Sequence, residues 1–224
     1  WVRAADAYVI WIIAAVALAS VLADEDSFVQ SVAATGAVVV ALASVMIAIG
    51  CEEPYRQPAP LRLQLDATQL GPREAVLALD ETGAAYVATL RDAAYRKGFV
   101  VRTPIIDLTG RHPGSVFALG GDAPGTAWLI SGYPGSLALA EANLNRVPCA
   151  TLAASWLLVT PDGKMSLPDT LLTLYGLDPA VGYEEVIRIV SPTGFGTHAL
   201  LKPPRERQVD VATCEAARKT PQRG

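Results

Sequence analysis

Two apolar runs fill most of the first fifty residues, and a soluble domain of this size could not bury both. Ala7 to Ala23 carries no charge over 17 residues, and Phe28 to Gly50 continues for 23 with only Gln30, Ser31, Thr35 and Ser44 as polar interruptions. As helices they would rise about 25 and 35 Å, on either side of a hydrocarbon core of roughly 30 Å. Trp1, Tyr8 and Trp11 gather toward one end, where amphipathic rings favour the bilayer interface. The connector Asp24-Glu25-Asp26-Ser27 is tight, so residues 1–50 read as a two-helix transmembrane hairpin whose outer ends share one side. The competing reading, a buried helical hairpin, demands a larger core than the remaining residues supply.

The rest of the chain has ordinary polarity. Its net charge of −4 gives no footprint for nucleic acid. The sequence opens on Trp1 with no basic region ahead of the first apolar run, which reads as a piece of a longer chain and not as a secretory signal. Ala48-Ile49-Gly50-Cys51 has the look of a lipoprotein cleavage site, but a preceding span makes coincidence the better explanation. The lipid bilayer and upstream transmembrane helices are the expected partners. Orientation is less clear from the residues: Arg3, Arg56, Arg62 and Arg73 flank the outer ends, and the positive-inside rule then favours a cytoplasmic soluble domain.

Prolines 54, 58 and 60 mark residues 51–60 as an extended linker. Residues 61–203 then alternate strand and helix patterns. Leu61–Leu65 alternates like a half-exposed strand, and Ala75–Leu79 is a short apolar run suited to a buried one. A helix follows, with Thr82 placed to cap it and Gly98 to stop it. Pro104 begins a strand whose buried part is Ile105 and Ile106. Val116–Leu119 and Ala127–Ile130 flank a glycine-rich hairpin connection, and Ser136 caps the next helix. Trp156–Val159 is a strand, Ser166 caps a helix reaching Leu174, and Val186–Val190 pairs antiparallel with Ala199–Leu201. The pattern predicts a three-layer α/β domain with a mixed sheet. Residues 204–224 are polar and basic and read as a disordered tail.

Candidate chemistry is sparse. Asp80, Glu81 and Asp107 follow strand patterns, at the sheet edge where α/β domains place ligands, and carboxylates there can bind hydroxyls or exchange protons. Helix-start and turn duties explain them more simply. Tyr133 and Ser136 lie in Gly132-Tyr133-Pro134-Gly135-Ser136, which could offer backbone N–H groups to an anion, though it is neither a nucleophile elbow nor a phosphate loop. His112 and His198 are the only histidines, and their isolation points to surface positions. No zinc spacing exists, and no metal or cofactor is expected. Cys149 and Cys214 could form a disulfide outside the cytoplasm, or Cys149 could simply pack in the core.

Thr103 to Gly114 (TPIIDLTGRHPG) and Trp128 to Ser136 (WLISGYPGS) resemble stretches in the extracytoplasmic tails of bacterial membrane proteins grouped with the lipid-linked-sugar glycosyltransferases of the GT-C type. The resemblance implies a multi-pass inner-membrane protein, an outward-facing α/β domain and a polyprenyl-linked sugar as partner. In such enzymes the catalytic carboxylate lies in an early extracytoplasmic loop, so no catalytic residue is assigned in this chain. The resulting expectation is an accessory domain of a membrane glycosyltransferase. A membrane-tethered binding module or hydrolase and a structural domain of a transporter-like assembly are the alternatives.

Overall fold

The computed structural model describes residues 13–14, 17–18, 28–54, 57–161, 163–204 and 208–219. It divides into two compact units, Trp1–Arg62 and Leu63–Gly224.

The first unit is dominated by one helix, α1 (Phe28–Glu52). Its Val32–Glu52 stretch has a mean hydropathy of 2.5, and none of its residues is buried within the protein. Twenty-one residues at helical rise span about 31 Å, matching a bilayer core. Val38, Val40, Leu42, Val45 and Ile47 are all exposed, so the helix is apolar around its circumference. The Ser44 hydroxyl donates to the Val40 carbonyl at 2.8 Å, which satisfies it without water. Among the described residues this is the one helix long and apolar enough to cross a membrane. The expected first span, Ala7–Ala23, lies outside the described residues except for Ile13, Ala14, Ala17 and Leu18, which are helical. Leu61–Leu63 is a short 3-10 turn where an alternating strand was expected.

The second unit is α/β. β1 (Asp66–Leu70) and β2 (Ala75–Leu79) form an antiparallel ribbon separate from the main sheet. The apolar run of β2 is not buried: Val76 and Leu77 are exposed, because a two-stranded ribbon has too little surface to cover both of its faces. Asp80 then caps α2 (Glu81–Arg96), its carboxylate accepting from the Gly83 N–H at 3.1 Å, so the cap lies two residues before Thr82.

The main sheet has the order β3-β4-β6-β5, with β3 (Ile105–Asp107), β4 (Trp156–Val159), β5 (Glu184–Val190) and β6 (Thr197–Lys202). β3 and β4 are parallel, whereas β4–β6 and β6–β5 are antiparallel, giving the mixed sheet. Helices cover both faces. On one, Ile106 and Leu157 pack with α4 (Ser136–Leu144), α5 (Cys149–Ala154), a 3-10 helix (Asp169–Tyr175) and α6 (Gln208–Lys219). On the other, Ile105, Trp156, Leu158 and Leu200 pack with α2 and α3 (Pro113–Leu119).

Two further expectations are corrected. Val116–Leu119 belongs to α3, not to a hairpin: Pro113 opens the helix with its fixed φ, and Gly120 ends it in the left-handed conformation at φ 73°. Residues 204–224 are not a disordered tail throughout. α6 is docked by a Cys149–Cys214 disulfide (Cα–Cα 5.8 Å) and by Arg218, which donates to the carbonyls of Leu144 (2.9 Å) and Val147 (2.6 Å). Its basic character misled, because Arg218 is a helix-docking residue and not a solvated charge.

Candidate functional site

The end of the sheet where parallel β3 and β4 finish carries a buried polar cluster. Strand parity builds it. Side chains two apart share a face, so Asp107 follows Ile105 and Thr160 follows Leu158 onto the side covered by α2 and α3. β6 runs the other way, with Ala199 opposite Val159 and Leu200 opposite Leu158. Continuing that register one step places His198 beside Thr160, on the same face. Asp107 is 4% exposed, Thr160 4% and His198 0%.

Tyr86 of α2 closes the cluster from above. Its hydroxyl lies 2.7 Å from His198 Nδ1 and 3.1 Å from Ser115 Oγ of α3. His112, just before α3, sets its ring 4.2 Å from that of His198 and its Nε2 3.2 Å from Ser191 Oγ and 3.4 Å from Thr193 Oγ1. Farther out, Phe195 lies 6.4 Å from the His112 ring, with the Arg111 guanidinium 4.2 Å above it. A line therefore runs from buried His198 through half-buried His112 to Phe195, which is 39% exposed.

The loop after β3 is held tightly. Asp107 Oδ1 accepts from the Thr109 N–H (2.8 Å) and hydroxyl (2.6 Å). Gly110 is required: its φ is 72°, and a β-carbon there would fall 1.9 Å from the Met165 carbonyl oxygen. Trp128 Nε1 donates to the Gly110 carbonyl at 2.9 Å. The stretch from Thr103 to Gly114 thus supplies Asp107, Thr109, Arg111 and His112, and Trp128 from the second stretch braces it.

Burial governs the electrostatics. It pushes the Asp107 carboxyl up to about 6, against the stabilising bonds from Thr109. It pushes Tyr86 up to about 12, with the Ser115 bond opposing and the Asp107 charge adding to the rise. His198 is pushed down to about 3, by burial first and by the neighbouring His112 second. At neutral pH the cluster therefore holds a neutral imidazole beside a carboxyl that none of the salt bridges among the described residues reaches. Three of its buried atoms have no hydrogen-bond partner among the described residues: Asp107 Oδ2, His198 Nε2 and Thr160 Oγ1.

Of the residues expected at a site, Asp107 alone belongs to this cluster. Asp80 is spent on capping α2, and Glu81 is exposed in its first turn. Tyr133 is exposed and accepts from the Ser136 N–H through its carbonyl. Ser136 is the first residue of α4, behind a left-handed Gly135, and its side chain does not cap the helix. His198 is not a surface residue. The pattern Thr197-His198-Ala199-Leu200 puts it on the same strand face as buried Leu200, a signal the isolated-histidine argument overlooked. Tyr86, Ser115 and His112 come from three separate segments that no local spacing connects. Among the described residues no group of three His, Cys, Asp or Glu side chains is arranged to hold a metal.

Comparison with protein-family models, with curated proteins and with solved structures finds no match to this chain.

Proposed function

We propose that this chain is the outward-facing C-terminal accessory region of a multi-pass bacterial inner-membrane protein of the lipid-linked-sugar glycosyltransferase kind, with its catalytic carboxylate upstream. In this reading Ala7–Ala23 and α1 form a transmembrane hairpin, and the α/β domain supports or positions a polyprenyl-linked substrate. The observation that carries the orientation is the Cys149–Cys214 disulfide, since such bonds persist in oxidising compartments and are rare in the cytoplasm. It outweighs the few arginines at the outer ends. The disulfide is also the device that keeps α6 on the domain, so it is part of the fold and not an incidental surface pair.

The test is thiol labelling in intact bacteria on a Cys51→Ser background, which leaves Cys149 and Cys214 as the only cysteines. A membrane-impermeant maleimide should label nothing until an impermeant reductant is added, and should then label both. Labelling only after lysis would sink the outward orientation, and labelling without reductant would sink the disulfide on which the reading rests.

A second reading, a membrane-tethered binding module, is favoured by the cluster around Asp107. Of the residues the sequence proposed for that role, Asp107 remains; Asp80, Glu81, Tyr133 and Ser136 do not take part in the cluster.

A further inference from the structure

Between the β1–β2 ribbon and α2 runs an open groove of about 960 Å³. One wall is β1 from Asp66 to Gln69. The other is a single face of α2, where Glu81, Ala84, Ala85, Ala88 and Asp92 recur at helical spacing. Alanines on both walls, Ala67 on the strand and three on the helix, leave the space between them unfilled.

Strand geometry decides which groups face that space. The Arg91 side chain donates to the Gln69 carbonyl, so this carbonyl points at α2 and away from β2. The N–H and C=O of one residue share an edge of a strand, and residues two apart repeat it, so those of Ala67 face the groove as well. Ala78, opposite Ala67 in the register, turns its own pair to the far edge of β2. β1 is therefore an open backbone template with a helix alongside. It is also unguarded: Ala67 to Leu70 carry no charge and no proline, and the register with β2 has no bulge. β5, at the edge of the main sheet, differs on each count. Its register shifts between Glu185 and Ile187, and it carries the ion pairs Lys97–Glu184 and Arg188–Glu185.

Charge selects what the template accepts. Asp66 lies opposite Leu79, two residues before Glu81, so both carboxylates stand at one end of the groove. Neither is in an ion pair among the described residues, whereas Asp92 pairs with Arg96 and Arg91 is held by Gln69. We propose that the groove between β1 and α2 binds an extended segment of a partner protein, added as a strand along β1, with a lysine or arginine of that segment set against Asp66 and Glu81. The Ala67 N–H and C=O supply the main-chain bonds, and the alanine face of α2 receives alternate side chains.

This surface is separate from the Asp107 cluster and independent of which way the domain faces. The experiment pans a phage library of random linear heptapeptides on the full chain in phosphatidylcholine nanodiscs, then measures the enriched peptides by fluorescence anisotropy. They should carry Lys or Arg among β-branched residues. Ala67→Pro removes the N–H that faces the groove, and Ala88→Tyr fills the groove from an exposed helix position; each should weaken binding about tenfold. Ala78→Pro, on the far edge, should leave it unchanged. If it does not, the ribbon itself is damaged and Ala88→Tyr, which leaves the ribbon alone, decides. Asp66→Asn combined with Glu81→Gln should cost about fivefold and flatten the salt dependence. Binding that survives Ala88→Tyr, or survives Ala67→Pro, would overturn strand addition in the groove, as would no enrichment over empty nanodiscs. Peptides lost on both groove variants but lacking basic residues would overturn the charge preference. Two chains per nanodisc in the wild type, falling to one in Ala67→Pro, would assign the edge to a second copy and overturn the partner segment.

Discussion

The two faces of the four-stranded sheet are cut from the same strands, with alternate residues going to each, yet they are built to different ends. One face presents Ile106 and Leu157 to a layer of leucines from α4, α5 and the 3-10 helix, and is locked from outside by the Cys149–Cys214 disulfide. The other begins the same way, with Ile105, Trp156, Leu158 and Leu200, and then turns polar at Asp107, Thr160 and His198. The first face is a stabilising layer. The second places ionisable groups away from bulk solvent, and burial there works against every charge it contains. A protein gains nothing in stability by the second arrangement, which is why the second face, not the first, is where function is to be sought.

Removing the disulfide should break the first face and leave the second. The bond links positions 65 residues apart, and closing a loop of that size in the unfolded chain is worth about 4 kcal/mol. Cys214→Ser, or reduction of the wild type, should lower the stability of the α/β domain by about that amount, read from denaturant midpoints. The Tyr86–His198 contact should survive under native conditions. If the polar cluster collapsed together with α6, the two faces would not be separate structural layers.

The complementary change on the second face should be smaller. Tyr86→Phe removes one hydroxyl and strands His198 Nδ1 and Ser115 Oγ, at a cost of about 1–3 kcal/mol. Adding Ser115→Ala should cost less than it does in the wild type, because its partner has already gone. Strict additivity in that double-mutant cycle, measured by urea denaturation, would show that the Tyr86–Ser115 contact carries no coupling.

The apolar framework of the sheet was far more legible in the sequence than the polar cluster on its second face. Trp156–Val159, the antiparallel pair around residues 191–196 and the buried Ile105 and Ile106 announce themselves through short apolar runs bounded by turns, and the structure keeps all of them. Apolar periodicity is a local signal. The cluster is not local: Tyr86 and His198 are 112 positions apart and meet only once α2 has crossed the sheet. Asp107 could be flagged from its place after a strand. Nothing nearby said that it would be buried, or that Asp80, with the same credentials, would be used up as a helix cap. The ribbon β1–β2 failed in the opposite direction, since an apolar run promised burial that two strands alone do not provide. The tail was misjudged because a basic composition hides Cys214 and Arg218, the residues that dock α6.

The smallest expected effect is also the most discriminating between the faces, because the second buries a histidine and an aspartate whose shifts fall in the acidic range. His198 falls from 6.5 unfolded to about 3 folded, so between those values the unfolded chain takes up a proton that the native state refuses. Its contribution is intact above pH 6.5 and is lost as the pH falls toward 3. Asp107 rises from 3.8 to about 6, and there the native state holds the proton first, so its contribution grows as the pH falls from 6 to 3.8. The two oppose each other over a shared acidic window, inside a shell that also contains Tyr86, His112 and Arg111. The histidine shift is the larger, so acidification should weaken the domain on balance. Asp107→Asn removes the offset and should make the loss of stability between neutral pH and about pH 4 steeper than in the wild type, while His198→Gln should make it shallower. Denaturant midpoints across that range decide the matter. Parallel profiles for all three proteins would mean that neither group is buried in the way the cluster requires, and the contrast between the two faces would fail with it.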